Sequence, residues 1–425
     1  MAPPKNPPRR AGGHGHDGCD REMRPLKALL SLEEALAALI GAARPLAATE
    51  RVPLQEAGGR VLALDLVAPG DVPPFRRAAM DGYAVRARET FGASTQRPKK
   101  LRKVDEVHAG EAARVPVGPG ECVQIATGAP MPEGTDAVVM VEDTEAEGEA
   151  VSVYSALHPG ANVSPAGEDI RKGTRVLAAG TLLDPSRVGV LAALGVAEAE
   201  VYRKPAVAIL PSGNEVVPPG RALGAGEIHD VNTYTLSTLV AAHGGVAKVF
   251  PPVPDDSRSI REALSWALKG SDLVVATGGS SVGARDLMVE VLGSMGRILF
   301  HGIAVKPGKP TLAAVVEGKI ALGMPGYPTS CLTNGYGMLV PLLRNIGRYP
   351  PWEPRVVRLP LARRVVSPVG RFQFLPVKVA GGKAVPVYKE SGAITSMSEA
   401  DGYVEIAANV DLVDRGEEVE VKLFG

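Results

Sequence analysis

Asp272-Leu-Val-Val-Ala-Thr-Gly-Gly-Ser-Ser-Val-Gly-Ala-Arg-Asp286 is the stretch whose reading decides the fold. An apolar run of strand length enters a glycine-rich loop, and Leu287, Met288, Val291 and Leu292 then recur at helical spacing. In a parallel sheet, such a loop lies at the carboxyl end of a strand, where ligands bind. Gly278, Gly279 and Gly283 allow close backbone approach, Ser281 sits among them, and free N–H groups at a helix start favour an anion. The spacing is neither GxGxxG nor the Walker pattern, and no Lys-Ser/Thr follows, which argues against a dinucleotide dehydrogenase or a nucleoside triphosphatase.

Outward from this stretch the rhythm is strand–helix–strand. Ala206–Leu210, Val246–Phe250, Leu273–Ala276 and Arg297–Val305 are predicted strands, and Asn232–His243, Ile260–Leu268 and Arg285–Met295 are predicted helices. The alternation predicts a three-layer α/β domain over 204–350 with a mainly parallel sheet. Before it, short β-rich runs between Gly/Pro turns predict a small β domain at 71–145. That domain is inserted in an elongated N-terminal domain made of 21–70 and 146–203. Ser31 and Glu34 have capping-box spacing ahead of an early helix. Strands and turns after Pro350-Pro351 predict a small β-barrel-like domain at 351–425.

Two further loops follow predicted strands of the α/β domain. In Lys306-Pro-Gly-Lys309 the proline and glycine stiffen the turn, so two ammonium groups are presented with little freedom, which suits a tetrahedral oxyanion. Gly323-Met-Pro-Gly-Tyr-Pro-Thr-Ser330 precedes a helix; Pro325 shapes the turn, Pro328 suits a first helical turn and Ser330 offers a hydroxyl. Carboxylates stand nearby: Asp286, Glu215 in Pro211-Ser-Gly-Asn-Glu215, and Asp255-Asp256. Acids beside bound phosphate imply a divalent cation, and Mg²⁺ suits oxygen ligands, with Asp286 and Glu215 the expected metal-side pair. Asp255 and Asp256 also stand where they could cap the helix that carries Ile260.

Composition bounds what this edge can serve. The chain has 425 residues and 47 Lys+Arg against 47 Asp+Glu, so its net charge argues against bulk attraction to nucleic acid or membrane. It is 45% apolar, too rich for a disordered chain, and no run approaches the ~18 apolar residues of a membrane span. Gly and Pro (49 and 37) make many turns, without a collagen repeat. Cys19, Cys122 and Cys331 are far apart and form no CxxC pair, so neither a disulfide framework nor a structural zinc site is expected, and a cytoplasmic location is. Residues 1–20, with His14 and His16, read as a disordered Pro/Gly/His-rich tail rather than a secretory signal.

Phe75 through Val85 reads FRRAAMDGYAV, residues 125–144 read IATGAPMPEGTDAVVMVEDT, and 167–170 read GEDI. With TGGSSVGARD, VKPGKP and GMPGYPTS, the set resembles the MoeA family, which includes the E domain of gephyrin, from about Leu32 to the C-terminus. The resemblance implies a molybdopterin molybdenumtransferase that inserts molybdenum from molybdate into adenylylated molybdopterin, releases AMP and uses Mg²⁺. It implies a homodimer of four-domain subunits with a cleft between subunits, and contacts with other proteins of molybdenum-cofactor biosynthesis. It also implies Asp81 and Asp169 as cleft acids, and Glu215, Asp255 and Asp286 as functional acids. Lys306, Lys309 and Ser330 fall around the molybdate, with Arg371 and Ser396 as their partners in the last domain.

Several positions depart from the family pattern. Asn214 stands where many members have an aspartate, Gly302 where some have a lysine, and Tyr327 where asparagine is common; Ser280 and Thr135 also differ. These departures bear on the oxyanion environment and on the choice between molybdenum and tungsten. Two other functions compete: adenylylation of molybdopterin, which uses a related fold, and a gephyrin-like scaffold or peptide-binding dimer. ATP-dependent AMP transfer distinguishes the first. An Asp286→Ala protein with unchanged biological activity would favour the second.

Overall fold

The computed structural model describes residues 29–278, 282–390 and 392–424, and the side chains of all of these except 282–286. The expected tail with His14, His16 and Cys19 lies outside the described residues, as do Gly279, Ser280 and Ser281. Two compact units make up the chain, one being Ala47–Arg203 and the other the remainder.

In the larger unit, Ala206–Pro211 and Leu273–Thr277 are buried along their whole length. Such continuous apolar strands need cover on both faces. Val207, Ile209 and Val275 face a core that includes Leu236, Leu239 and Leu342, while Ala208, Leu210 and Val274 face one that includes Ile260, Leu264 and Leu292. Alternate residues thus enter opposite cores, and three layers result. Each fully buried leucine contributes about 2 kcal/mol.

Among the described residues this sheet has six strands, in the order Val246–Val249, Ala206–Pro211, Leu273–Thr277, Lys319–Met324, Leu312–Val316, Arg297–His301. The first four are parallel, and Leu312–Val316 runs against both of its neighbours. The carboxyl ends of Ala206–Pro211, Leu273–Thr277, Lys319–Met324 and Arg297–His301 therefore share one edge. The expected strand Arg297–Val305 ends at His301, because Gly302 turns the chain at φ 99°. Val305–Lys306 then leaves the α/β sheet and pairs in parallel with Phe372 and Gln373 of the last domain.

That last domain orders its strands as Val305–Lys306, Phe372–Ala380, Gly402–Ile406, Glu418–Leu423, Val356–Pro360. Lys383–Pro386 pairs with Phe372–Ala380, and a bridge from Leu361 to Ala384 closes the ring into a small barrel. The early helix Leu32–Ala42 carries the expected capping box and buries Ala35 and Leu39 in the α/β core, so it belongs to this unit.

The unit Ala47–Arg203 holds another six-stranded sheet among the described residues, from Ala137–Met140 through Gly82–Val85, Glu121–Ile125, Lys99–Val107 and Ala150–Val153 to Thr144–Glu147. The last two strands carry the sheet past residue 145, since Lys99–Val107 pairs with Ala150–Val153. Short two-stranded pairings, among them Thr49–Pro53 with Glu198–Tyr202, build the rest around Val52, Leu62, Leu183 and Leu191. No helix among the described residues is long and apolar enough to cross a membrane.

Candidate active site

Three strands end level with one another. Pro211 pairs with Thr277, and Thr277 with Met324, so Ser212, Gly278 and Pro325 stand side by side just beyond the sheet. The Ser212 N–H donates to the Thr277 carbonyl at 2.6 Å. A Cβ on Gly278 would lie 2.8 Å from Ser212 Oγ, so a larger residue here would have to turn the serine hydroxyl aside. Gly283 and Asp286 fall in the opening turns of the helix Val282–Met295. The Asp286 side chain lies outside the described ones.

The acids Glu215 and Asp255 come together. The Asp255 N–H donates to Asn214 Oδ1 at 3.3 Å, which ties the two acid-bearing loops. Burial, and then the Glu215 charge, push the Asp255 carboxyl above its ordinary range. Its Oδ1 is buried and has no partner among the described residues. A buried carboxylate oxygen without a donor, beside a second carboxylate, suits a cation. Asp256 does different work: its Oδ1 caps the helix Ser257–Gly270 by accepting from the Ser259 N–H at 2.8 Å.

The lysine turn lies at the same sheet edge, between Arg297–His301 and Leu312–Val316. The Lys309 carbonyl accepts from Ile303 and Thr311 N–H groups, both at 3.0 Å, which fixes the backbone. Asn334 Nδ2 donates to the Gly308 carbonyl at 2.9 Å and to Thr311 Oγ1 at 2.7 Å. Lys306 Nζ stands 5.8 Å from the centre of the Tyr388 ring. Neither Lys306 nor Lys309 forms an ion pair among the described residues, so two cations on a fixed backbone turn remain available to an anion.

Pro328 opens the helix Pro328–Asn334, on which Ser330 is buried. Thr329 Oγ1 ties this helix to the last domain by donating to the Ala393 carbonyl at 2.9 Å. Arg371 is half-buried and precedes Phe372, whose N–H donates to the Ala304 carbonyl at 2.9 Å, so Arg371 is anchored beside the lysine turn. Ser396 is fully buried, and its Oγ accepts from the Lys389 N–H at 2.9 Å.

Asp81 and Asp169 belong to the other unit. Asp81 Oδ1 accepts from the Thr127 N–H at 2.7 Å and hydroxyl at 2.9 Å, and these bonds hold the carboxyl below its ordinary range. Asp169 is exposed, and its N–H donates to the Val72 carbonyl at 3.1 Å. Gly82, next to Asp81, runs so close to the neighbouring strand that a Cβ would fall 1.8 Å from the Val139 carbonyl oxygen. That contact explains the glycine of MDGYA.

Sequence reasoning missed Asn232, His229 and Asp230, which line a cavity with Ser212 and Glu215. Asp230 Oδ1 accepts from the Thr233 N–H at 3.0 Å at the start of the helix Asn232–Ala242. The signal was Glu227-Ile-His-Asp-Val-Asn232, a polar cluster directly before a helical run. Asn334, within Cys331-Leu-Thr-Asn-Gly335, was missed as well.

Residues 30–195 match the family described as the MoeA N-terminal region (domain I and II), 208–345 a probable molybdopterin binding domain, and 358–424 the MoeA C-terminal region (domain IV). A molybdopterin molybdenumtransferase of Synechococcus elongatus is 35% identical over 386 residues, 88% of this chain and 94% of that protein. One of Haemophilus influenzae is 36% identical over 306 residues, 72% of this chain and 74% of that protein. The crystal structure of a molybdopterin biosynthesis MoeA protein from Pyrococcus horikoshii superposes with a TM-score of 0.83 at 42% identity, covering 94% of this chain and all of that one.

Proposed function

Because the chain belongs to the MoeA family, we propose that it is a molybdopterin molybdenumtransferase, acting in molybdenum cofactor biosynthesis. It takes molybdate and adenylylated molybdopterin, inserts molybdenum into the pterin dithiolene and releases AMP. The observation that carries this reading is that one sheet edge bears both a lysine turn with a fixed backbone and an acid pair with an orphaned oxygen. A tetrahedral dianion needs fixed cations, and a phosphorylated substrate beside carboxylates needs its charge screened.

Lys306 and Lys309 hold the molybdate, with the Ser330 region and Arg371 flanking the turn. Gly278, at the end of its strand, gives the phosphates close access to backbone. Glu215 and Asp286 would hold Mg²⁺, and the unpartnered Oδ1 of Asp255 fits that role. Once bound, the ion supplies charge screening between phosphate and carboxylate. Family membership supports the finer points: a cytoplasmic homodimer, Asp81 and Asp169 serving the cleft between subunits, and contacts with other proteins of molybdenum-cofactor biosynthesis.

The purified full chain, given adenylylated molybdopterin, molybdate and Mg²⁺, should release AMP well above a no-protein control. Release no faster than that control would refute the reading. ATP-dependent AMP transfer to free molybdopterin would assign the preceding reaction instead.

A further inference from the structure

Lys306 follows a strand of the α/β sheet, yet the last domain carries it. Val305–Lys306 pairs in parallel with Phe372 and Gln373, so Lys306 stands directly beside Gln373 in the barrel ladder. Gln373 is 2% exposed, and Leu375 and Val377, two and four residues further on, lie in the barrel core. Side chains alternate along a strand, so Gln373 and its ladder partner Lys306 project to the core face at the end of the barrel.

Tyr388 packs against the same core, and Lys306 Nζ lies over its ring, 5.8 Å from the centre. The chain is fixed on both sides of this half-buried ring. The Val387 N–H donates to the Pro376 carbonyl at 3.1 Å, and the Lys389 N–H donates to Ser396 Oγ at 2.9 Å. Lys389 Nζ adds bonds to Thr395 Oγ1 at 3.0 Å and to Glu399 Oε1 at 2.7 Å. The fully buried Ser396 thus anchors the segment that presents the ring.

A free lysine arm loses its rotamer freedom when an anion fixes it, and that loss weakens binding. A carboxylate could hold the arm beforehand, but it would neutralise the charge that the anion needs. An aromatic face attracts the ammonium through its quadrupole and leaves the net charge intact, with N–H donors open on the far side. Lys306 forms no ion pair among the described residues, and its ladder neighbour Gln373 is uncharged.

We infer that Tyr388 is a positioning residue for Lys306, its ring holding the ammonium ready for the oxyanion without neutralising it. The inference rests on the proposed function, in which Lys306 holds molybdate, and deepens it by adding a residue of the last domain.

Calorimetry on the full chain, with molybdate alone as the probe, tests this. Tyr388→Leu should weaken molybdate about fivefold, which is ~1 kcal/mol, and Tyr388→Phe, which keeps the ring, should bind it like the parent. In a Lys306→Ala background Tyr388→Leu should have no further effect, a result that a merely structural role would not give. The inference is overturned if Tyr388→Leu binds molybdate as tightly as the parent or more tightly, or if Tyr388→Phe is weakened as much as Tyr388→Leu. The same fivefold loss in the Lys306→Ala background, or a parent that binds no molybdate, also overturns it. In turnover, Tyr388→Leu should raise KM for molybdate and leave KM for adenylylated molybdopterin unchanged. If the parent releases AMP and Tyr388→Leu keeps the parent's KM for molybdate, the Tyr388 assignment falls and the function stands. If the parent releases no AMP yet binds molybdate through Tyr388, the function falls and the assignment stands.

Discussion

The side-chain amide of Asn334 bridges two points of the lysine turn, donating to the Gly308 carbonyl at 2.9 Å and to the Thr311 hydroxyl at 2.7 Å. It thereby locks the lysine-bearing loop to the helix that carries Ser330. Thr311 Oγ1 also donates to the Gly308 carbonyl, at 2.9 Å. Gly308 must be glycine here, since φ is 109° and a Cβ would fall 2.5 Å from Asn334 Nδ2.

Asn334→Ala is expected to lower stability by about 2 kcal/mol, since both bonds are buried. It should also raise KM for molybdate more than KM for adenylylated molybdopterin, because the backbone of the lysine turn loses its anchor. Urea unfolding and paired KM measurements check this. Equal rises in both KM values would mean that the clamp supports the fold alone.

Asp255 sets a pH dependence whose sign can be worked out. Its folded carboxyl titrates above the ordinary aspartate value of ~3.9, so between the two values the folded state binds more protons than the unfolded one. Stability therefore falls as pH rises through that window. Asp255→Asn removes the ionisation, so the variant should be more stable than the parent at about pH 7, with the gap closing towards about pH 4. Urea midpoints at the two pH values measure it. A variant less stable than the parent at pH 7 would contradict the assignment.

Gly82→Ala should destabilise the unit that carries Asp81 by about 3 kcal/mol, since the new methyl collides with the Val139 carbonyl across a paired strand. Limited proteolysis should show cleavage within Ala47–Arg203 while the α/β domain remains protected. Wild-type protection of both regions would place the strand differently.

Much of this fold was legible because its central strands are buried on both faces. Ala206–Pro211 and Leu273–Thr277 read as unbroken apolar runs, and runs alternating with helices imply the three layers. The shared edge of the lysine turn and the glycine loop followed from the same alternation. The strand Val305–Lys306 did not, since two residues carry no period and its partners Phe372 and Gln373 belong to another domain. The strand Thr144–Glu147 was hidden by its polar composition, TEAE. The bond that orients Asn232 could not be read from sequence because its partner, Gly326, lies 94 positions away. The acids and lysines were visible as residue types; what held them was not.

The most direct measurement is AMP release from adenylylated molybdopterin as molybdate is titrated, for the parent and for Lys306→Ala and Lys309→Ala. The account predicts release that rises with molybdate and saturates in the parent. Each variant should need at least about tenfold more molybdate, as expected when one fixed cation worth ~1.4 kcal/mol is lost. Release from the parent that ignores molybdate, or variants that follow the parent's curve, would contradict it.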